Sequence, residues 1–273
     1  MATRGRSVLE ACLMTANEVV DRIKKNLGIP WNDKTVRDTF KVGSPETAVK
    51  GIATTFMATL DMIQRAHAAG LNMVVTHEPT FWNDQDKVQD FANDPTYKFK
   101  TDFCAKNNIV VWRFHDHIHA RRPDLIWVGL ARALGWTDRA AGPNQRSFNL
   151  PPTILGALAA DVKKQMGSRA LRVVGDPNAK VSTVAVGMGY GMPRVSPDID
   201  VVMGGENPET GGAFDDTEYV LDAAVFAKNK GQIILGHAIS EEPGMEDCAN
   251  WMRSFITEVP IQFVRAGEPY WSL

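Results

Sequence analysis

Short apolar segments alternate with amphipathic helical segments along this chain of 273 residues, and no other feature constrains its fold as much. Residues 73–76 and 232–235 are typical of short buried strands. Residues 60–69 and 153–166 have the apolar spacing of a helix, and residues 15–18 form a capping box that predicts the start of another. Helices and strands in this order predict an α/β fold, with helices packed on sheets.

The same patterns predict the remaining elements and one boundary. Further strands are predicted at 49–57, 109–114, 171–174, 181–186, 200–203 and 261–264, and further helices at 94–106, 127–134, 217–229 and 246–256. Residues 137–152 are rich in Gly, Pro, Asn and Arg, which predicts a domain boundary there. The chain length allows one large domain or two small ones.

Composition argues against a nucleic-acid or membrane partner. The 30 basic and 32 acidic residues leave a net charge of −2, too little for an electrostatic grip on a polyanion. No apolar run approaches the roughly 18 residues that span a bilayer. Glu10 interrupts the apolar stretch that follows Arg6, so a signal peptide is not predicted. Cys12, Cys104 and Cys248 are far apart and odd in number, which favours reduced thiols and a cytoplasmic location.

Five of the six histidines follow closely on an apolar strand. They are His77, His115, His117, His119 and His237. Because α/β proteins bind ligands at the carboxyl ends of their strands, we expect these imidazoles to meet the nearby carboxylates of Glu78 and Glu241. Histidine nitrogen combined with carboxylate oxygen suits Zn, Fe or Mn better than Ca or Mg.

Residues 115–119, with the sequence HDHIH, contain the densest group of histidines. In an extended chain His115, His117 and His119 would point to one side, where they would serve a metal directly or from behind a ligand. A structural explanation also has to be weighed, because a lone histidine after a strand is usually a satisfied turn or core residue. Residues 115–119 would then be a surface tract, and residues 241–242 a solvated helix start. Spacing alone leaves both interpretations open.

Several segments, in order over residues 15–265, resemble the Nif-three-like dinuclear metal-centre hexameric proteins, also called GTP cyclohydrolase I type 2 homologues. VTHEPTFW at 75–82 resembles the family's paired-histidine segment, and HDHIH at 115–119 falls at its HTxxD segment. GHAISEEPG at 236–244 resembles its GHxxxExPG segment and is the most specific match. Residues 200–206 resemble its strand ending in TGE, and residues 185–191 its glycine-rich turn.

The resemblance implies a Nif-three-like fold of two α/β lobes with mixed sheets, and a metal site at strand carboxyl ends between the lobes. We place one lobe at 1–136 with 230–273, and the second lobe at 137–229. The resemblance also implies a homohexamer that binds two divalent ions per chain, of Zn, Fe or Mn, and acts on a small-molecule substrate.

Five metal ligands carry over from the resemblance, and two of them depart from the family's residue type. The five are His77, Glu78, His119, His237 and Glu241. Glu78 stands where the family has a second histidine, and His119 stands where it has an aspartate. The exchange keeps three imidazoles and two carboxylates. His115 matches the first position of the family's segment and is a further candidate ligand, whereas His117 has no family equivalent.

These ligands predict a dinuclear metal-dependent hydrolase, acting on a ring C–N bond through a metal-bridging hydroxide. Glu242 or Glu206 is the candidate proton shuttle. Each also has a structural explanation, since Glu242 would suit a helix N-terminus and Glu206 a turn. The alternative function is a non-catalytic metal carrier, regulator or scaffold, which would need the same ligands.

Overall fold

The computed structural model describes residues 14–141, 146–271 and 273. Cys12 and the apolar N-terminal stretch before Met14 lie outside the described residues. The described chain divides into two compact units. Unit 1 consists of residues up to 124 with 245–266, and unit 2 consists of 125–244 with 267–273. Among the described helices, none combines the length and the apolar character needed to cross a bilayer.

The elements alternate along the chain as the sequence patterns predict. The helices are α1 (Ala16–Asn26), α2 (Leu60–Ala68), α3 (Pro95–Lys106), α4 (Asp116–Ala120), α5 (Leu125–Ala133), α6 (Leu155–Met166), α7 (Gly212–Val225) and α8 (His237–Arg253). The strands are β1 (Phe40–Val42), β2 (Ile52–Thr55), β3 (Met73–Thr76), β4 (Val110–Arg113), β5 (Ala140–Ala141), β6 (Ser147–Ile154), β7 (Arg172–Gly175), β8 (Lys180–Val186), β9 (Val201–Gly204), β10 (Gly231–Ile234) and β11 (Ile261–Phe263). Short 3-10 turns cover Gln89–Phe91 and Thr137–Arg139.

Unit 1 is built on a five-stranded mixed sheet with the order β1-β4-β3-β2-β11. Strands β4, β3, β2 and β11 are parallel to one another, and β1 pairs antiparallel with β4 at one edge. Every residue of β2, β3 and β4 is buried, as expected of parallel strands. Since Thr76 pairs with Arg113 at the last register position, the residues that follow β3 and β4 leave the sheet side by side.

Unit 2 is built on a six-stranded mixed sheet with the order β5-β6-β8-β9-β10-β7. The central strands β8, β9 and β10 are parallel. Strand β6 pairs antiparallel with β8, and β7 pairs antiparallel with β10. Ile234 pairs with Gly204 at the carboxyl ends of β10 and β9. Residues 205–206 and 236–237 therefore follow two neighbouring strand ends, which is where α/β proteins bind ligands. The prediction of an α/β fold with mixed sheets is confirmed.

Local patterns predicted several elements closely. The capping box is present, because Thr15 Oγ1 accepts from the Glu18 backbone N–H at 3.2 Å while Glu18 Oε2 accepts from the Thr15 N–H at 2.7 Å. Strand β3 has the predicted bounds, and Asp94 caps α3 directly before Pro95.

The region at 137–152, where the sequence predicts a domain boundary, contains most of β6. The two compact units divide near residues 124 and 244. Strand β6 keeps its pairing with β8 on both sides of an irregularity between Asn149 and Thr153. Pro151 and Pro152 fall in that irregularity, where their missing N–H groups break no ladder hydrogen bond. The prolines therefore mark a bulge within a strand.

In unit 2, α5 packs against the middle of α8 through glycine. A Cβ atom on Gly129 would overlap the backbone of Pro243 and Gly244, and a Cβ on Gly244 would overlap the backbone of Ile126. The two backbones therefore approach more closely than any side chain would allow. This contact fixes the part of α8 that directly follows Glu241.

We predict that Gly129→Ala lowers the free energy of unfolding by about 2 kcal/mol or more, because the added methyl group has no space. An alanine at an exposed helix position would instead stabilise by up to about 1 kcal/mol. Gly156→Ala is a matched control on α6, where the Cβ would lie 3.2 Å from the Pro177 carbonyl oxygen. Urea denaturation of both variants measures the difference, and equal midpoints would contradict the packing argument.

Candidate metal centre

His77 directly follows β3 and is fully buried. Its Nδ1 atom lies 3.2 Å from the carbonyl oxygen of Phe114, which follows the neighbouring strand β4. Because a carbonyl can only accept, Nδ1 must carry the proton and donate it. The imidazole is then the tautomer whose Nε2 lone pair can bind a metal.

Residues 115–119 are helical, so the predicted extended conformation is wrong. His115 is the N-cap residue of α4, and α4 contains His117 and His119. Residues four apart share a helix face, which brings the rings of His115 and His119 within 5.0 Å between centroids. The His77 ring lies 4.7 Å from the His115 ring and 4.9 Å from the His119 ring.

His117 lies apart from this face and acts as a structural anchor. Its Nδ1 is 2.6 Å from Asp38 Oδ2, and its Nε2 accepts from the Asn32 backbone N–H at 2.9 Å. Its ring also stacks on Trp31 at 3.7 Å between centroids. Since the Asn32 N–H occupies the Nε2 lone pair and Nδ1 is bonded to Asp38, His117 has no lone pair left for a metal.

Asp38 holds the start of α4 in place. The sequence patterns did not predict this role. Its buried carboxylate accepts the backbone N–H groups of His115 at 2.6 Å, Asp116 at 2.9 Å and His117 at 2.9 Å, in addition to His117 Nδ1. It therefore satisfies donors that the first turn of a helix leaves without an intrahelical partner. Asp38 is 77 residues before His115, so no local motif marks it.

His77, His115 and His119 form the histidine cluster of unit 1. One donor atom of each lies within 4.8 Å of the others. The Nδ1 atoms of His115 and His119 lie 3.1 Å from the carboxylates of Asp116 and Asp124, respectively. Each ring is thus held at Nδ1 by an acceptor and offers Nε2, the usual arrangement of a metal-binding histidine.

Electrostatics favour a neutral imidazole at the centre of this cluster. Burial, followed by the nearby His77 ring, lowers the pKa of His115 to about 4. Desolvation disfavours the charged form, so His115 is neutral at pH 7. A neutral imidazole is the form that binds metal, and binding would displace no proton from it.

Glu78 adds a carboxylate to the same unit. Its Oε1 lies 3.7 Å from His115 Nε2, and its Oε2 lies 3.3 Å from the guanidinium of Arg113. Arg113 is fully buried and also donates from Nε to the His77 carbonyl at 3.0 Å. A buried charge such as Arg113 normally requires a paired charge, and Glu78 is one of the carboxylates that supply it.

The residues of unit 1 fit a divalent metal ion. Three imidazoles held at Nδ1, with a carboxylate beside them, are the donor types that Zn, Fe and related ions prefer. Four of the predicted ligands, His77, Glu78, His115 and His119, are therefore brought together within this unit.

Unit 2 brings together the other predicted residues. His237 is the first residue of α8, and its Nε2 lies 3.1 Å from Glu241 Oε2, one helical turn later. Its Nδ1 lies 2.8 Å from Glu206 Oε1, which follows the neighbouring strand β9. Glu206, predicted as a proton shuttle, is thus placed to orient His237 through the hydrogen bond at Nδ1.

The glycine-rich turn at 187–191 packs directly on this pair. Gly189 has a φ of 57°, and a Cβ there would overlap the Glu241 carboxylate and lie 3.1 Å from His237 Nε2. Its N–H donates to Ser240 Oγ at 2.9 Å. Only glycine combines that φ with so close an approach. The exposed ring of Tyr190 lies 4.6 Å from the His237 ring.

Glu242, the other predicted proton shuttle, has a different environment. It is buried, and its Oε1 accepts from the Gly267 backbone N–H at 2.9 Å. This bond ties the C-terminal segment of unit 2 to α8, which is a structural contact.

We predict that Asp38→Ala lowers the free energy of unfolding by about 3 kcal/mol or more, because hydrogen bonds to a charged acceptor contribute about 1.5–3 kcal/mol each. Asp61→Ala is the control, since Asp61 is exposed and its ion pair with Arg65, at 2.9 Å on the same helix, is a surface pair that contributes little. Chemical denaturation followed by circular dichroism measures both. Similar losses in the two variants would show that Asp38 does not stabilise α4.

Three solved structures are similar to this chain in fold. A Bacillus cereus protein related to NIF3 has a TM-score of 0.70 and 14% identity, covering 96% of this chain and 100% of that chain. A hypothetical protein of Staphylococcus aureus has a TM-score of 0.67 and 14% identity, with coverages of 96% and 100%. Reduced HcgD from Methanocaldococcus jannaschii has a TM-score of 0.59 and 18% identity, with coverages of 92% and 98%.

At these identities the likeness establishes the fold alone. No curated protein matches the chain significantly. Residues 14–267, nearly the whole chain, match the family described as Duf34/NIF3 (NGG1p interacting factor 3). The resemblance found in the motifs is therefore confirmed, and the chain belongs to the Duf34/NIF3 family.

Proposed function

We propose that this protein is a divalent-metal-dependent hydrolase. The observation that carries the proposal is the histidine cluster of unit 1, in which His77, His115 and His119 are each held at Nδ1 and offer Nε2. His117, by contrast, accepts a backbone N–H at Nε2 and has no lone pair left for an ion. Three converging rings that keep one face for a ligand instead favour a metal.

The proposed centre is dinuclear, as the family resemblance implies. Its proposed ligands are those that the resemblance implies, His77, Glu78, His119, His237 and Glu241, with His115 as a further candidate. The ions are proposed to be Zn, Fe or Mn. When bound, such ions acidify a coordinated water to a pKa near 7 and polarise the bond under attack. The protein's own contribution is to orient the rings through their Nδ1 hydrogen bonds and to keep His115 neutral.

The substrate is proposed to be a small molecule with a ring C–N bond. A cavity of about 430 Å³ adjoins His237 in unit 2, with Glu206, Asn207, Arg172 and Tyr270 among its lining residues. This volume lies in the range of small-molecule sites. Arg172 and Tyr270 offer a positive charge and a ring to a bound molecule, while Glu206 holds His237 at 2.8 Å.

Assembly and location are proposed on the same basis. The family resemblance supports a homohexamer. A cytoplasmic location is supported by Cys104 and Cys248, which are buried thiols. Burial raises the pKa of the Cys104 thiol to about 11 and of the Cys248 thiol to about 12, so neither is reactive at neutral pH.

We predict that Glu241→Gln lowers turnover at least about 100-fold without changing the melting temperature of the metal-free protein, because it removes a ligand charge and keeps the side-chain shape. Glu218→Gln, on the exposed face of α7, is the control and should retain full turnover. Activity is followed on a panel of nucleotides, cyclic amides and phosphoesters, after loading with Zn, Fe or Mn.

Metal content by mass spectrometry separates the hydrolase from its alternatives. The proposal predicts about two ions per chain in the wild type after reconstitution. Less than about one ion per chain, unchanged by reconstitution, would overturn the dinuclear site. Bound and exchangeable metal with no turnover on the whole panel would instead favour a carrier, and unfolding on chelation would favour a structural metal.

A further inference from the structure

His119 and Asp124 form a pair that is specific to the sequence of this chain. His119 stands where the family resemblance implies an aspartate ligand. Asp124, five residues later, lies 3.1 Å from His119 Nδ1, and its side chain is largely buried. The carboxylate of Asp124 therefore lies behind His119 and contacts its Nδ1, instead of facing the cluster itself.

This arrangement sets which nitrogen of His119 faces the cluster. An ionised carboxylate can only accept a hydrogen bond, so Nδ1 donates to Asp124 and Nε2 keeps its lone pair. A negative partner at Nδ1 also increases the basicity of the ring and raises its strength as a ligand. Asp124 therefore acts on a metal through His119.

The second exchange in the sequence is the opposite one, because Glu78 replaces a family histidine. Arg113 lies 3.3 Å from Glu78 Oε2 and 3.3 Å from Asp84 Oδ1, so the two carboxylates share its charge. The donors of unit 1 are therefore three imidazoles and one carboxylate, Glu78, that lies beside Arg113. Imidazole-rich sites favour Zn and its neighbours, whereas carboxylate-rich sites suit Mn and Mg.

We infer that His119, positioned by Asp124, sets the metal preference of the unit 1 cluster toward Zn and against Mn. The inference rests on the proposed function, because it requires a divalent ion at this cluster. Within it, His119 is a specificity-determining ligand and Asp124 is a positioning residue.

The test measures Zn and Mn dissociation constants by competition with a chelating dye, on the metal-free full chain. All variants carry His237→Ala, so that the unit 1 donors dominate binding. His119→Asp should lower the ratio of Zn to Mn affinity at least about 10-fold. His67→Asp is the matched control, since His67 is exposed on α2 and lies edge-on against Phe103, outside the cluster.

Asp124 is tested separately from His119. Asp124→Ala should weaken Zn binding about 10- to 100-fold, the usual effect of losing a hydrogen bond behind a ligand. Asp124→Asn should retain most of the affinity, because its amide oxygen can still accept from Nδ1. The visible absorption of the Co-loaded protein is a second readout, because it reports the ligands around the metal. It should change in Asp124→Ala, whereas a change in stability alone would leave it unaltered in a folded variant.

The outcomes separate this inference from the proposed function. A Zn to Mn ratio in His119→Asp within twofold of that in His67→Asp would overturn the specificity role. Equal losses in Asp124→Asn and Asp124→Ala, with both variants folded, would overturn the positioning role. If the wild type itself bound neither ion at micromolar concentration, the proposed function would fail, and this inference with it.

Discussion

Hydrogen bonds at Nδ1 determine how every candidate ligand histidine of this protein is oriented. The acceptors are the Phe114 carbonyl for His77, Asp116 for His115, Asp124 for His119 and Glu206 for His237. Each bond fixes the ring plane. In His77, His115 and His119 it leaves Nε2 directed at the cluster, whereas Nε2 of His237 lies 3.1 Å from Glu241 Oε2. The sheets make these bonds possible, because parallel pairing places the end of β3 beside β4 and the end of β9 beside β10.

The exchanged positions 78 and 119 differ in where they place negative charge relative to a bound metal. A carboxylate ligand would bring its charge to the metal directly, whereas His119 brings the charge of Asp124 through a hydrogen bond. Glu78 brings a charge of its own, and Arg113 is buried beside it. Together the two changes keep three imidazoles and two carboxylates in the donor set, and they place an additional carboxylate, Asp124, behind one of the imidazoles. This is a physical reason to expect a metal preference different from that of a carboxylate-rich site.

Much of this site could be predicted from the sequence, since His77 and His237 follow short apolar segments that are typical of buried strands. Residues 115–119 show where pattern fails. An extended chain and a helix both place His115 and His119 on one side, and they differ only for His117, so five residues cannot distinguish the two. Asp38 was beyond reach because its contacts with α4 are long-range. Strand β6 was missed because the Gly, Pro, Asn and Arg residues around it suggested a domain boundary, whereas its two prolines lie in an irregularity of the strand.

The most direct measurement of the central claim is anomalous X-ray diffraction at the Zn absorption edge, from crystals of the Zn-loaded protein. We predict a peak at about 2.0–2.1 Å from Nε2 of His77, His115 and His119, with each Nδ1 still bonded to its present acceptor. Coordination through Nδ1, or a peak bound to none of these three rings, would contradict it.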